Sequence, residues 1–226
     1  MTGQIDNLRG LARDSVWDYE NGYYWFSDQT RINKLLAHYE LYQRIVDLPG
    51  DVFEFGVFKG LSLIRFAQFR ALLETEQSRR IVGFDAFGKF PSEGLERAAD
   101  RSFVTRFEEA AGDGLSRDEL AGLLNAKGFG NVELVAGNVF DTLPRYLASR
   151  PELRLSLLHL DMDVAEPTRF VLEQLYDRVV RGGLIVIDDY TAVAGATEVI
   201  DAFLSDKPLR LQKLPHYRVP AYIVRP

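Results

Sequence analysis

Residues 51–62, DVFEFGVFKGLS, indicate the fold most clearly. An apolar run that suits a buried strand leads directly into a turn with two glycines, Gly56 and Gly60, and then into a helix-like segment. A glycine-rich turn between a first strand and a first helix leaves backbone N–H groups free to contact a ligand. One acid, Glu54, lies inside the apolar run, two residues before the first glycine. We therefore expect this turn to bind a ligand at the edge of a sheet.

Short apolar runs alternate with helix-like stretches along most of the chain. The runs are continuous, as in strands that are buried on both faces of a parallel sheet. The predicted strands cover residues 51–55, 80–84, 131–135, 155–160 and 183–187, and the predicted helices cover 60–77, 116–127, 141–149, 166–180 and 194–204. This alternation predicts an α/β fold with a mostly parallel sheet and helices on both faces. The segments LRLQKL and AYIVRP follow too closely for a crossover helix, so they predict a C-terminal antiparallel hairpin.

Two segments lie outside this alternation, although the 226 residues fit a single domain. Residues 1–50 are aromatic and then helix-like, and we expect them to pack on the sheet or on a partner subunit. Residues 86–115 are polar, contain several glycines and are long for a connection within a domain. We interpret them as a lid with a short helix that covers the acceptor, with a solvated insertion as the alternative.

The composition narrows the class of function. The formal net charge is −6 and no Lys/Arg cluster stands out, which argues against a nucleic-acid-binding surface. No apolar run approaches the roughly 20 residues that cross a bilayer, so we expect no membrane partner. The chain has no cysteine and begins with a polar segment unlike a signal peptide. These features exclude disulfides and suit a cytoplasmic location.

The acid before the glycine turn distinguishes between two kinds of nucleotide ligand. The pattern E-x-G-x-x-x-G differs from the dinucleotide fingerprint G-x-G-x-x-G, and Glu54 would repel a pyrophosphate. S-Adenosylmethionine (SAM) instead carries an ammonium and a sulfonium and no phosphate. We predict that Glu54 holds the cationic end of SAM and that Gly56 lets the methionine portion approach the backbone. The alternative is a strand acid paired with an Arg or Lys, because an unpaired buried carboxylate is costly.

The next two strand ends carry residues that suit the rest of such a ligand. Asp85 ends the second predicted strand, where a carboxylate can accept hydrogen bonds from both ribose hydroxyls. NAD-binding folds share this feature, so Asp85 alone does not separate the two ligands. Gly137 and Asn138, at the tip of the third strand, suit an adenine or form an ordinary β-turn.

Four aspartates follow the fourth and fifth predicted strands: Asp161, Asp163, Asp188 and Asp189. Ligands of open parallel sheets bind beyond the carboxyl ends of the strands, so these side chains should crowd one edge. Gathered carboxylates repel each other unless a cation or protons compensate. An all-oxygen site favours Mg²⁺, Mn²⁺ or Ca²⁺ over zinc. Alternatively, Asp163 and Asp189 could cap the helices that follow them. We expect His159 to be a core residue with a satisfied ring.

Together these motifs resemble those of the macrocin-type sugar O-methyltransferases, which modify deoxysugars of macrolide and aminocoumarin antibiotics. The similar segments are GDVFEFGVFKGLS, GFDAFGKFP, LLHLDMDVAEPTRFVLEQLY and GGLIVIDDYTAVAGATEVIDAF, within residues 25–205. The resemblance implies a SAM- and Mg²⁺-dependent class I methyltransferase with a Rossmann-like, seven-stranded sheet. It also implies a deoxysugar hydroxyl, nucleotide-linked or glycosidic, as the methyl acceptor in natural-product biosynthesis.

The resemblance further assigns roles to residues of this chain. The cofactor-binding positions that it implies are Ser27, Glu54, Gly56, Gly60, Ser62, Asp85, Ala86, Gly137, Asn138 and Asp161. The implied ligands of Mg²⁺ or Mn²⁺ are Asp161, Asp188 and Asp189. Asp161 also matches the residue proposed as the general base. One position departs from the family pattern, because Ala165 stands where a Tyr is usual.

Three alternatives to sugar methylation stay open at this point. A catechol-type O-methyltransferase would act on an aromatic diol, and an aromatic acceptor pocket would favour it. An NAD-dependent dehydrogenase would need the fingerprint that is missing here. A SAM-binding protein without catalytic activity would need no acid cluster. We expect a small-molecule sugar acceptor, and a homodimer formed through the aromatic N-terminal segment.

Overall fold

The computed structural model describes residues 5–91, 93 and 95–226. Ser92 and Gly94 of the predicted lid, and residues 1–4 of the N-terminal segment, therefore lie outside the described residues. The strands are β1 (Asn7–Leu8), β2 (Leu11–Ala12), β3 (Asp51–Phe55), β4 (Ile81–Asp85), β5 (Val132–Ala136), β6 (Leu155–Leu160), β7 (Val179–Ile187), β8 (Leu211–Leu214) and β9 (Tyr217–Val224). The α-helices are α1 (Val16–Phe26), α2 (Gln29–Gln43), α3 (Leu61–Leu73), α4 (Ala98–Ala111), α5 (Arg117–Ala126), α6 (Val139–Ala148), α7 (Ala165–Leu175) and α8 (Ala194–Leu204).

The main sheet has seven strands in the order β5-β4-β3-β6-β7-β9-β8. The first five of these run parallel, and β9 pairs antiparallel with both β7 and β8. The predicted parallel sheet with an antiparallel C-terminal hairpin is thus confirmed. On one side of β3 the sheet continues with β4 and β5. On the other side it continues with β6 and β7. The strand order therefore reverses between β3 and β6, and a crevice opens beyond the ends of these two strands.

Two predicted helix ends are wrong. The helix predicted for residues 60–77 ends at Leu73. The helix predicted for residues 166–180 ends at Leu175, and β7 already begins at Val179. Two β-branched valines favour the strand at this point, and the strand continues through Gly182 and Gly183. The remaining parallel strands begin and end within one residue of the prediction.

Helices cover both faces of the sheet, as predicted. One apolar core joins the sheet to α6, α7 and α8, and its largest side chains include Phe53, Phe55 and Phe84. The second core joins the opposite face to α2, α3 and α5. All six residues of β6 are buried, which explains why this central strand has no polar alternation. The carboxyl edge of a rigid sheet therefore positions the loops described next.

The N-terminal segment divides into a packed and an exposed part. Helix α2 buries Ala37, Leu41 and Tyr42 against the sheet, whereas α1 buries no residue. Phe26 on α1 is 84% exposed, and Trp17 and Trp25 are similarly open to solvent. Across residues 5–91, 93 and 95–226, no helix is long and apolar enough to cross a membrane.

Candidate active site

A cavity of about 760 Å³ opens at the carboxyl edge of the parallel strands. Most of the predicted site residues line it: Gly56, Ser62, Asp85, Ala86, Gly137, Asn138, Asp161, Asp188 and Asp189. The other three, Ser27, Glu54 and Gly60, are not among its lining residues. The ends of the parallel strands thus bring together residues that are far apart in the sequence.

The glycine turn passes very close to the end of β6. Gly56 has φ +89°, and a Cβ atom there would lie 1.7 Å from the carbonyl oxygen of Asp161. Only glycine fits at position 56, because any Cβ atom would clash with a backbone carbonyl rather than with a flexible side chain. Gly60, at φ +76°, forms the N-cap of α3 and acts on the turn rather than on the cavity wall.

The loops that leave the strands on the cavity side contain strained backbone. Phe58, Phe87, Asp163 and Thr191 all have positive φ, and they follow β3, β4, β6 and β7. Such conformations are uncommon for residues other than glycine and cluster at functional sites. The strain therefore supports a binding role for this edge of the sheet.

Asp85 organises the glycine turn. One carboxylate oxygen accepts hydrogen bonds from the backbone N–H groups of Val57 and Phe58, at 2.7 and 3.0 Å. The other accepts the N–H of Phe87 at 2.6 Å. Asp85 also lines the cavity. The residue that is predicted to bind the ribose is therefore fixed in place by hydrogen bonds from the glycine turn.

We expect Asp85→Asn to weaken binding of S-adenosylhomocysteine at least about tenfold, because each hydrogen bond to a charged group is worth about 1.5–3 kcal/mol. Calorimetry measures this loss. Asp141→Asn, the same change at an exposed position of α6, serves as the control. Unchanged affinity in Asp85→Asn would remove Asp85 from the site.

Glu54 lies behind the cavity wall. Its side chain is fully buried, and one carboxylate oxygen accepts a hydrogen bond from the hydroxyl of Ser62, which does line the cavity. The same oxygen lies 3.4 Å from Nδ1 of His159. The second oxygen has no hydrogen-bond partner among the described residues. The alternative of an Arg or Lys partner is therefore not what the structure shows, and Ser62 separates Glu54 from the cavity.

Three carboxylates converge on one point of the cavity. One oxygen from each of Asp161, Asp163 and Asp189 lies within 4.8 Å of the other two. Asp189 also accepts the backbone N–H of Asp163 at 2.8 Å. Neither Asp163 nor Asp189 is a helix cap, because α7 and α8 begin after Val164 and Val193. The capping alternative is thus wrong for both residues.

The electrostatics of this triad favour a cation. Loss of solvation, together with the negative charge of Asp188, raises the pKa of Asp161 to about 8. Burial raises the pKa of Asp163 to about 6 and that of Asp189 well above its usual value. The ionised triad is therefore unfavourable on its own, and a divalent cation with oxygen ligands would compensate. The residues present fit such an ion.

Asp188 lies apart from this triad. Lys34 Nζ is 2.6 Å from Asp188 Oδ2 and 3.8 Å from Asp161 Oδ2. Nε2 of His38 and Nε2 of His159 each lie 3.9 Å from Asp188 Oδ1. Although burial alone would raise the pKa of Asp188, these neighbours hold it well below its usual value. The structure thus replaces Asp188 by Asp163 in the group of close carboxylates.

The buried histidines differ from the prediction in one respect. His159 is a core residue, as expected, but its ring is not satisfied. Both ring nitrogens of His38 and of His159 lack a hydrogen-bond partner among the described residues. Lys34, which contacts Asp188, was not predicted as a site residue from the sequence. Its spacing of four residues from His38 places both on one face of α2, and this was the available signal.

Asn138 has a structural role besides its place in the cavity wall. Its side-chain oxygen accepts the N–H of Phe140 and caps α6. Its amide nitrogen donates to Glu93 at 2.8 Å, which links the wall to the predicted lid. A contact of Asn138 with adenine therefore stays a prediction.

The predicted lid contains a longer helix than expected. Helix α4 spans 14 residues, and its cavity side is aromatic rather than polar. Phe103 and Phe107 from α4, together with Phe58 and Phe90, line the cavity. Their rings pack against one another with centroid distances of 5.2–5.9 Å. This wall suits an acceptor with an apolar portion.

Asp100 fastens α4 to the domain. It is only 1% exposed, and its Oδ2 accepts the backbone N–H of Ala165 at 3.0 Å, at the first residue of α7. A carboxylate at a helix N-terminus is favoured by the helix dipole. Asp100 thus fills the capping role that Asp163 does not.

We expect Asp100→Ala to speed tryptic cleavage within residues 86–115, because losing a helix cap costs about 0.5–2 kcal/mol. S-Adenosylhomocysteine and acceptor together should slow cleavage of the wild-type segment. Asp113→Ala, at an exposed position of the same segment, is the control. A wild-type segment that resists trypsin as well as the core does, with or without ligands, would contradict the lid.

The fold is that of a class I methyltransferase. CalS11, a calicheamicin methyltransferase, is 27% identical, with a TM-score of 0.69 over 92% of this chain and 85% of that one. The O-methyltransferase NovP has a TM-score of 0.74 over 86% of this chain and 80% of that one; at 24% identity it supports the fold alone. A model of the macrocin-O-methyltransferase (TylF) family matches residues 11–213. The chain belongs to this family.

Two curated relatives show which reactions occur among similar chains. The 8-demethyl-8-(2,3-dimethoxy-alpha-L-rhamnosyl)-tetracenomycin-C 4'-O-methyltransferase of Streptomyces olivaceus is 34% identical over 164 residues, which are 68% of this chain. The mycinamicin III 3''-O-methyltransferase of Micromonospora griseorubida is 30% identical over 186 residues, 79% of this chain and 70% of that one. The matched region spans only 58% of the length of the S. olivaceus protein.

Proposed function

We propose that this protein transfers the methyl group of SAM to a hydroxyl of a small sugar-containing acceptor. One observation carries the proposal: a single cavity joins the glycine turn and Asp85 to the aspartate triad. Family membership and the names of the relatives support methyl transfer to a sugar oxygen. A NAD-dependent dehydrogenase is not supported by either.

The cofactor half of the cavity has features that suit SAM. The carboxylate of Asp85 lines this half of the cavity and is the proposed acceptor for the ribose hydroxyls. The hydroxyl of Ser62, which also lines the cavity, donates to Glu54 behind it. Bound SAM would supply an electrophilic methyl group on its sulfonium. In this proposal the glycine turn excludes water and fixes the direction from which the acceptor approaches.

Asp161 is the proposed general base. It follows β6 at the point where the glycine turn crosses the strand end, so it lies between the cofactor half and the lid. A carboxylate placed there can accept the proton of an acceptor hydroxyl as the oxygen attacks the methyl carbon. Such a base contributes about 10²–10⁴-fold.

Mg²⁺ or Mn²⁺ is the proposed metal, held by Asp161 and Asp189. In the present arrangement Asp163 completes the group, while Asp188 is paired with Lys34. A bound divalent ion would lower the pKa of an acceptor hydroxyl and orient it. The fit rests on the oxygen-only ligands and their mutual repulsion.

The aromatic lid favours an acceptor that is more than a free sugar. Phe58, Phe90, Phe103 and Phe107 present flat apolar surface to the cavity. A glycoside with an aromatic or macrocyclic aglycone would use this wall, with its sugar hydroxyl near Asp161. The same wall supports a second candidate, methylation of an aromatic diol, as the catechol-type alternative requires. Methyl transfer to a glycoside and to its free aglycone, measured side by side, separates the two.

A homodimer through α1 is a further part of the proposal. Several large apolar side chains of this helix are exposed, among them Trp17, Trp25 and Phe26. Exposed apolar residues gathered on one element are typical of a protein–protein contact. Sedimentation velocity tests it, and a monomer at micromolar concentration would contradict it.

A further inference from the structure

Arg65 is a buried cation that forms no salt bridge among the described residues, although Asp188 and Glu54 are near enough to influence its pKa. It lies on α3, one helical turn after Ser62, and it lines the cavity. The residue is 8% exposed, and its Nη1 has no hydrogen-bond partner among the described residues. In the part of the chain that the structure describes, no carboxylate lies within 4.0 Å of its guanidinium. Burying an unpaired guanidinium is costly, so the position calls for a ligand.

Two donors of the N-terminal segment also lack partners. The hydroxyls of Tyr23, on α1, and of Ser27, at the C-cap of that helix, are buried without a hydrogen bond among the described residues. Burial lowers the pKa of the Arg65 guanidinium, and Tyr23 and Arg31 lie near enough to influence it as well. Arg31 also lines the cavity. Two guanidinium groups and unsatisfied hydroxyls form a set of donors, which suits an anion.

Glu54 limits which anion this can be. Its charge also acts on Arg65, so an acid and a base are close together beside Ser62. A phosphate would gain from Arg65 but would be repelled by Glu54. An α-amino acid group has an ammonium and a carboxylate on the same carbon. Its carboxylate could pair with Arg65 in the cavity, while the charge of Glu54 behind Ser62 would favour the ammonium.

We propose that Arg65, assisted by Arg31, binds the α-carboxylate of the methionine portion of SAM. This inference rests on the proposed function and adds to it a positioning residue outside the glycine turn. It also gives the N-terminal segment a role, because α1 contributes the unsatisfied hydroxyls and α2 contributes Arg31. Arg65 would hold SAM in place and take no part in the proton transfer.

The test compares SAM with decarboxylated SAM, which keeps the sulfonium and the ammonium and lacks only the carboxylate. Calorimetry without acceptor gives both affinities. We expect wild type to prefer SAM at least about tenfold, and Arg65→Met to lose most of this preference by weakening SAM alone. Arg65→Lys should retain part of it, because it keeps the charge but loses the planar fork. Arg169→Met, at an exposed arginine of α7, is the charge-matched control.

The outcomes separate the inference from the proposed function. Wild type that binds neither ligand would overturn both. Wild type that binds SAM and decarboxylated SAM equally well would overturn the role of Arg65 and leave SAM binding intact. An Arg65→Met variant that keeps the preference of wild type for SAM would do the same. Inorganic pyrophosphate is a further probe. If Arg65→Met loses the binding of pyrophosphate but keeps the preference for SAM, Arg65 binds an anionic group of the acceptor instead, and the inference is overturned. Arg65→Lys, the milder change, decides the matter if Arg65→Met does not fold.

Discussion

Replacing Asp161 with Asn should lower methyl transfer at least about 10²-fold while affinity for S-adenosylhomocysteine stays nearly unchanged. The substitution keeps the shape of the side chain but removes its charge and its ability to accept a proton. The backbone carbonyl of Asp161, which packs on Gly56, is not altered. Single-turnover kinetics at saturating SAM isolate the chemical step from cofactor binding.

A control distinguishes this effect from a general change in charge. Asp141→Asn makes the same chemical change at an exposed position of α6 and should leave the transfer rate close to that of wild type. A transfer rate in Asp161→Asn within a few-fold of wild type would exclude Asp161 as the base. Equal losses of transfer and of S-adenosylhomocysteine binding would indicate damage to the glycine turn instead.

Removal of divalent metal should abolish methyl transfer and leave the cofactor bound. In the proposed function the aspartate triad lies beside the acceptor, so the ion would act on the acceptor rather than on SAM. Treatment with EDTA should therefore stop transfer, and added Mg²⁺ should restore it. Calorimetry of S-adenosylhomocysteine in EDTA provides the matched measurement. Full activity in a preparation shown to be metal-free would contradict the metal assignment.

Substitution of single aspartates identifies the ligands. Asp163→Asn and Asp189→Asn should each lower the apparent Mg²⁺ affinity at least about tenfold, because each removes a charged ligand. Asp188→Asn should lower it less, since Asp188 is paired with Lys34. Titration of Mn²⁺ followed by electron paramagnetic resonance measures binding without turnover. The reverse order, with Asp188 critical and Asp163 dispensable, would restore the ligand set that the sequence suggested.

The fold was predictable because its signals are local. Continuous apolar strands such as LSLLHL are typical of a parallel sheet, and the short link before AYIVRP allows only an antiparallel partner. The start of β7 was missed, although two β-branched residues, Val179 and Val180, precede the predicted strand. The exposure of α1 could not be predicted, since aromatic residues usually pack inside.

The site was predictable only in part, for a related reason. Residues at strand ends, such as Asp85 and Asp161, are brought together by topology, which the sequence specifies. Lys34, Arg65 and Asp100 come from helices that pack across the edge of the sheet. Their contacts depend on how each helix is rotated and placed. Asp163 joins the triad with φ +64°, a backbone conformation that no pattern in the sequence specifies.

The most direct test of the account is methyl transfer itself. Purified protein would be incubated with methyl-labelled SAM and Mg²⁺, with three acceptors in parallel: a nucleotide-linked deoxysugar, a deoxysugar glycoside with an aromatic aglycone, and the free aglycone. Mass spectrometry and fragmentation locate the label. We predict one labelled methyl group on a sugar oxygen of a sugar-bearing acceptor, and none in EDTA. Label only on the free aglycone, or on no acceptor while SAM is bound, would contradict the proposed function.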